Sequence, residues 1–270
     1  MKLLFILIYT ISLSSCFLFP YEQRSGVSSS LVDYLYPEGT TPKNHQEKIT
    51  HLKLPLTVGL AFVPTSKHSS SFPEAKKLEL LEKAKNKFDK LDYVSEIIVI
   101  PDTYMKSSKG FQGVGQIARV YGLDIIALVS YDQVINTTAN NASIFYWTII
   151  GAYIIPGNSN SSTTFIDTAV FDVSSRKLLF RAPGVSEIDK LSTMVGADQT
   201  TRELQEQGFV IAMDDMTKNL ETELEKFKQK IKKEKNVTIS HRDGYGGGGA
   251  TDWMLLLLLL GWLIVKKVRY

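Results

Sequence analysis

Two apolar segments, residues 3–11 and 253–265, stand near opposite ends of this 270-residue chain and confine the folded part to the sequence between them. The first follows a single positive charge and is too short for a stable membrane span. The second has 13 consecutive uncharged residues, which as a helix extend about 20 Å, less than the roughly 30 Å hydrocarbon core of a bilayer. We therefore expect one globular domain between two special ends.

The first apolar segment leads into Leu13, Ser14, Ser15 and Cys16. A positive charge, an apolar run and small residues in this order are typical of a secretory signal peptide. The last four residues resemble the lipobox of bacterial lipoproteins. This resemblance implies recognition of Leu13, Ser14 and Ser15 by lipoprotein signal peptidase, cleavage before Cys16, and a diacylglycerol on the Cys16 sulfur. Phe17 in place of Asp points, by the same resemblance, away from retention in the inner membrane. The alternative is a core cysteine near an ordinary cleavage site.

Cys16 is the single cysteine of the chain, which excludes internal disulfides, CxxC redox pairs and cysteine-based zinc sites. The four histidines show neither HxH nor HExxH spacing, so we predict no metal and no cofactor. Of the 31 basic and 28 acidic side chains, four and one respectively lie outside residues 16–249, which leaves 27 of each in the body. A neutral body of this kind argues against nucleic acid as a partner.

The second apolar segment has glycines before it and basic residues after it, namely Gly246, Gly247, Gly248 and Gly249, then Lys266, Lys267 and Arg269. The positive-inside rule keeps the basic cluster cytoplasmic and residues 16–249 on the far side, as the signal peptide also requires. Glycine has poor helix propensity, about 1 kcal/mol per residue below alanine, so the segment is easy to unwind. The order resembles the GlyGly-CTERM sorting signal, the substrate of the intramembrane serine protease rhombosortase. The alternatives are a flexible linker to a tail anchor, or a span that pairs with other helices.

A lipobox at one end and this tail at the other resemble the rhombotarget, or rhombotail, lipoproteins. That resemblance implies a Gram-negative cell envelope, with the precursor in the inner membrane and the processed form in the outer membrane or at the cell surface. The implied partners are membrane lipid through Cys16, the lipoprotein-processing enzymes, rhombosortase and an unidentified envelope protein. We expect the divisions 1–15 signal peptide, 16–50 lipidated tether, 51–235 α/β domain, 236–249 Gly-rich linker and 250–270 transmembrane sorting tail.

The first half of the body predicts the order strand, helix, strand, helix, strand. Residues 52–63 form a β-rich run, and apolar residues recur every three or four positions over 73–91, as on one helix face. Apolar strands at 97–100 and 124–131 follow. The glycines of 110–115 lack the GxGxxG pattern, so we interpret them as a helix entry and not as a nucleotide loop.

The second half predicts an antiparallel meander from β-type runs at 143–155, 163–173 and 177–181. A long helix over 201–235 follows, with one apolar stripe that closes the sheet: Met213, Met216, Leu220, Leu224, Phe227 and Ile231. We predict an α/β fold, with α+β as the variant: a mixed sheet of about five to six strands, packed by two to three helices. This order weakly resembles lipoprotein domains of the curli-secretion and Tol-associated kind, which bind partners without catalysis.

No residue is predicted to be catalytic. The chain lacks a GxSxG motif, and the adjacent Asp214 and Asp215 on the long helix point about 100° apart, so they cannot jointly flank a substrate bond. The favoured hypothesis is a non-catalytic envelope lipoprotein that binds a partner. A surface-displayed hydrolase and an accessory subunit of the sorting system are the alternatives.

Overall fold

The computed structural model describes residues 22–37, 50–65, 72–107, 109–233 and 237–242. Along the chain the elements are β1 (Glu22–Ser28), α1 (Leu31–Leu35), β2 (Thr50–Leu54), β3 (Leu56–Phe62), α2 (Glu74–Phe88), β4 (Val94–Ile100), α3 (Asp102–Ser107), α4 (Gly110–Tyr121), β5 (Ile125–Ala139), a 3-10 helix (Asn141–Trp147), α5 (Ile149–Ile154), β6 (Asn158–Asp172), β7 (Leu178–Ser192), α6 (Ala197–Lys233) and β8 (Val237–His241).

A six-stranded mixed sheet forms the centre of the domain, with strand order β4-β3-β5-β6-β7. β4, β3 and the first part of β5 are parallel, whereas β5, β6 and β7 form an antiparallel meander. Beyond the end of β3, the later part of β5 pairs antiparallel with β1, from Ser28 opposite Asp132 to Glu22 opposite Thr138. β2 and β8 form a separate parallel pair. The predicted mixed α/β fold is confirmed.

The long strand β5 gives the domain two ends. We call the end where it begins, at Ile125, the base, and the end where it finishes, at Ala139, the tip. At about 3.3 Å per residue the two lie about 45 Å apart. One face of the sheet packs against α2 and α6, and the other packs against α1, α3 and α4.

The periodicity of the sequence is confirmed where one helix face meets the sheet. The predicted helices over 73–91 and 201–235 are α2 and α6. The stripe of α6 is buried against the sheet at Met213 and Met216, and its later part, to Ile231, is only partly buried. α4 begins at Gly110, so the glycine segment does open a helix. The run 52–63 is divided at Pro55 into β2 and β3, since proline has no N–H to donate to a ladder.

The β-type run 143–155 was the wrong interpretation of that segment. It forms the 3-10 helix and α5. The Asn140 side chain accepts a hydrogen bond from the Ala142 N–H (2.8 Å), and Thr148 Oγ1 accepts one from the Gly151 N–H (2.9 Å). These side-chain caps support short helical turns even though the composition favours strands.

Structured chain also lies in segments expected to be tether and linker. β1 and α1 fall within residues 16–50, and β8 falls within 236–249. β1 is polar along nearly its whole length and buries only Val27. β1 is held in the sheet by backbone pairing with β5. Backbone pairing leaves no apolar pattern in the sequence of β1 that could have predicted the strand.

Candidate functional site: an apolar cavity at the base

A cavity of about 560 Å³ lies at the base, between the second half of α6, the end of α2 and the sheet. Its walls are almost entirely apolar and come from four directions, including Leu56 and Ile125 from the sheet, Ala84 and Phe88 from α2, Leu220 and Leu224 from α6, and Leu52 and Ile239 from the β2-β8 pair. The volume falls in the range of small-molecule sites, which are concave and mostly apolar.

The cavity exists because α6 lies close to the sheet only over its first half. A Cβ at Gly184 of β7 would lie 2.2 Å from the Ala212 oxygen, and one at Gly208 of α6 would lie 2.5 Å from Thr164 Oγ1. Glycine at 184 lets the β7 backbone approach the α6 backbone, and glycine at 208 lets α6 approach the side chains of β5 and β6. Towards the base, Leu179 and Phe180 of the sheet carry full side chains, and the stripe of α6 is only partly buried there.

Charged side chains lie where the cavity reaches the surface. Lys85, Lys228 and Lys232 line its edge together with Glu225. Lys228 forms an ion pair with Glu225, and Lys85 lies 3.7 Å from Glu82. The apolar interior is therefore bordered by more basic than acidic groups, which suits an amphipathic ligand with an anionic end.

Tyr93 supplies a polar group inside the cavity wall. Its hydroxyl is buried and forms no hydrogen bond with any described residue, while the Lys228 ammonium lies 4.5 Å from the centroid of its ring. Burial raises the pKa of the Tyr93 hydroxyl, and Lys228 offsets only part of that effect. Burial acts to lower the pKa of Lys228, but Glu225 and Tyr93 outweigh it and the net direction is upward. A neutral phenol beside an ammonium can donate to and orient an anionic group.

A second polar cluster lies midway between base and tip, where β3 and β4 end. Lys77 of α2 and Asp102 of α3 form a buried ion pair with Nζ–Oδ2 2.7 Å, and Glu74 accepts a hydrogen bond from the Asp102 N–H. The Lys77 ammonium lies 5.3 Å from the centroid of the Tyr131 ring. Burial acts to lower the pKa of Lys77, but Tyr131 and Asp102 outweigh it. The cluster is closed to solvent and joins α2 to α3, so we interpret it as structural.

The acidic residues weighed in the sequence also hold structure together. Asp214 forms an exposed ion pair with Lys83 at 2.8 Å, and Asp215 accepts a hydrogen bond from the Val185 N–H at 3.1 Å. Among the described residues, no group of three or more His, Cys, Asp or Glu is placed to hold a metal ion. Within the described part of the chain, no helix is both long enough and apolar enough to cross a membrane.

The predicted processing residues all lie outside the described part of the chain. They are the lipobox residues Leu13, Ser14, Ser15 and Cys16, the glycines Gly246, Gly247, Gly248 and Gly249, and the basic residues Lys266, Lys267 and Arg269. Those assignments therefore stay predictions. The described residues closest to them are Glu22 at the tip and Arg242 at the base; the Arg242 guanidinium lies 2.8 Å from Asp124, the residue before β5.

The cavity could not be predicted from the sequence, because it depends on contacts between distant elements. The stripe of α6 indicated an apolar face, but not where that face stands away from the sheet. One signal was available: the stripe continues to Ile231, several turns beyond the last fully buried stripe residue, Met216.

Comparisons with known proteins identify no family. No protein-family model matches the chain, and no curated protein matches it significantly. Among solved structures, a neuraminyllactose-binding hemagglutinin homologue from Helicobacter pylori is similar at 12% identity, covering 72% of this chain and 97% of its own, with a TM-score of 0.38. A PelC dodecamer from Paraburkholderia phytofirmans is similar at 9% identity, covering 73% and 99%, with a TM-score of 0.26. At these scores neither similarity supports a conclusion.

Proposed function

We propose that this chain is a bacterial envelope lipoprotein, a substrate of lipoprotein signal peptidase and of a rhombosortase-type protease. Its domain binds a partner and is not an enzyme. The precursor resides in the inner membrane, and the processed protein resides in the outer membrane or at the cell surface. The lipobox around the single cysteine and the glycine-led tail support the processing part of this proposal.

The observation that carries the binding part is the base cavity. Its apolar interior of about 560 Å³, the basic edge and the buried Tyr93 hydroxyl together suit one acyl chain with an anionic head group. Apolar walls stabilise the chain by about 25 cal/mol per Å² of buried surface. Lys228 and Tyr93 would hold the head group, and the partner is then a fatty acid or a lipid.

The processing part is tested by metabolic labelling with a fatty acid in the native host. Cys16→Ala removes the only thiol, so we expect it to abolish labelling. Ser14→Ala keeps a small residue in the lipobox and serves as the control that retains labelling. Labelling of the Cys16→Ala variant would contradict lipidation at this residue. Replacing Gly246–Gly249 with leucine is expected to leave a longer, membrane-retained form, and an unchanged size in cells with the protease would contradict tail cleavage.

The binding part is tested with the fluorescent fatty acid cis-parinaric acid. We expect the delipidated protein to bind it, and Leu224→Trp, which fills the cavity from α6, to abolish the signal. Ile211→Trp on the exposed side of the same helix is the matched control and should bind normally. Lys228→Met should reduce binding of the acid more than binding of its methyl ester. Equal binding by both tryptophan variants, or no binding by the parent protein, would contradict the cavity as the site.

A further inference from the structure

The tip carries the largest cluster of exposed apolar side chains in the described chain. Eight of the sixteen large apolar residues that are exposed lie there: Ile144, Phe145, Ile150, Tyr153, Ile154, Leu191, Met194 and Val195. The exposed fractions are high, 72% at Ile150 and 70% at Ile154. We call these eight residues the tip surface. A clustered patch of this kind marks a contact site and differs from the scattered apolar residues of an ordinary surface.

The tip surface belongs to an ordered structure. The Val195 N–H donates to the Ala152 carbonyl (3.4 Å), and the Tyr146 hydroxyl donates to the Ser192 carbonyl (3.2 Å). These bonds join the connection between β5 and β6 to the end of β7 and the connection that follows it. The Gly157 N–H donates in turn to the Tyr146 oxygen at 2.7 Å. These bonds hold the backbone while the apolar side chains point outwards, so the exposure is a built feature.

The two connections that carry the tip surface contain no charged residue. Residues 133–166 form 34 consecutive positions without Asp, Glu, Lys, Arg or His, in a chain that is 22% charged overall. Residues 191–197 are likewise uncharged. Charged groups are costly to move into a bilayer interface, whereas aromatic and aliphatic side chains are favoured there. An exposed, uncharged and partly aromatic surface fits the lipid head-group region better than it fits a typical protein interface, which has a polar rim.

The N-terminal end of the described chain lies at this same surface. Glu22 pairs with Thr138, one residue before the end of β5. Cys16 precedes Glu22 by six residues, which span at most about 20 Å when fully extended. A diacylglycerol on Cys16 therefore keeps the tip, and not the base, next to the membrane.

We propose that the tip surface inserts into the interfacial layer of the bilayer that holds the Cys16 lipid, so that the domain stands on its tip with the base cavity facing away. This rests on the proposed lipidation of Cys16. The expected depth is about 5–10 Å at the head-group boundary. The tip thus adds a second membrane contact to an anchor that holds the chain at one point.

Depth-dependent fluorescence quenching tests the proposal on the full lipidated chain. Once Cys16 is acylated, Ile154→Cys supplies a unique thiol for an environment-sensitive probe. Val120→Cys is the matched control, since Val120 is 78% exposed on α4, away from the tip. In phosphatidylethanolamine–phosphatidylglycerol vesicles with brominated acyl chains, we expect the probe at 154 to lose most of its emission and the probe at 120 to lose none.

The outcomes separate this proposal from the lipoprotein proposal, because the intact mass of the same sample reports acylation at Cys16. Acylated protein on vesicles with equal, weak quenching at both positions would overturn the tip proposal alone. A probe at 154 that is already buried before vesicles are added, together with a 154–154 disulfide between copies of the unlabelled variant, would show a protein contact and would also overturn it. Absence of the lipid mass would instead count against the lipoprotein proposal.

Discussion

The tip and the base of the domain are both apolar, but they differ in shape and in charge. The base is concave, with a cavity lined by side chains from four directions and bordered by lysines. The tip instead exposes its apolar side chains and has no charged residue over 133–166. An apolar surface that is concave and has a charged edge can enclose one amphipathic molecule, whereas exposed apolar side chains without charge suit contact with an extended apolar phase. We therefore propose a different kind of contact for each end.

The two ends also differ in which terminus they lead to. Glu22 lies at the tip, whereas Arg242 lies at the base, because its N–H donates to the Leu54 carbonyl. Ten residues lie between Arg242 and Trp253, so the eleven steps from one to the other reach at most about 40 Å. That is shorter than the roughly 45 Å between base and tip. With the tip inserted by about 5–10 Å, a domain standing on its tip leaves the connection to an uncleaved tail almost fully extended, so we expect tail cleavage to relieve this constraint.

The largest effect is expected at the buried cluster between base and tip that joins α2 to α3. Asp102→Ala leaves the Lys77 ammonium buried without its ion-pair partner, which should cost about 3–5 kcal/mol in the free energy of unfolding. Asp214→Ala is the control, because its ion pair with Lys83 is exposed and contributes at most about 1 kcal/mol. Urea unfolding of both variants measures the difference. Similar small losses of unfolding free energy in both variants would show that the buried cluster does not stabilise the contact between α2 and α3.

Gly184→Ala should remove part of the structural difference between tip and base. The new Cβ meets the α6 backbone, so the first half of the helix must move away from the sheet, at a cost of about 1–3 kcal/mol. Gly115→Ala on α4 meets nothing within 4 Å and should stabilise the protein by roughly 0.5–1 kcal/mol. Thermal and urea unfolding check both signs. A neutral Gly184→Ala variant would contradict the account of why α6 lies close at one end.

Alkaline pH should weaken the central cluster by a smaller amount. The pKa of Lys77 and that of Tyr131 are both raised in the folded state, for Tyr131 chiefly by burial. Folded protein therefore holds these protons more tightly than unfolded protein does. This contribution to stability is fully present below the unfolded pKa values, 10.5 for Lys77 and 10.0 for Tyr131. It is lost as pH rises through the higher pKa values of the folded state. Unfolding in urea at pH 8–11 should show the decline, less steep in Tyr131→Phe. Identical curves would exclude Tyr131 as a contributor.

The smallest effect on folding is expected at the tip surface. Ile150 and Ile154 are exposed, so the double serine variant should unfold within about 0.5 kcal/mol of the parent. The same variant should lose much of the quenching at a probe on Phe145→Cys, because its contact with lipid is weaker. A large loss of stability would mean that these side chains support the fold, and would contradict their role as an exposed membrane contact.

Local periodicity was enough to predict much of the fold. The spacing of apolar residues indicated α2 and α6, and the alternation of strands and helices in the first half indicated an α/β layout. It failed where pairing carries little side-chain signal, as in the polar strand β1, and where caps decide between helix and strand, as at Asn140 and Thr148. The base cavity depends on glycines that are distant in sequence, Gly184 and Gly208, so no local pattern could indicate it. The uncharged stretch 133–166 was visible in the sequence, but its position at the tip required the sheet.

The most direct test of the account is the intact mass of the protein purified from its native membranes, with both termini sequenced after delipidation. The account predicts a chain that begins at acylated Cys16, six residues from the tip, and ends within Gly246–Gly249 beyond the base. A chain that still ends at Tyr270, or one that begins elsewhere without a lipid, would contradict the proposed processing of the two termini.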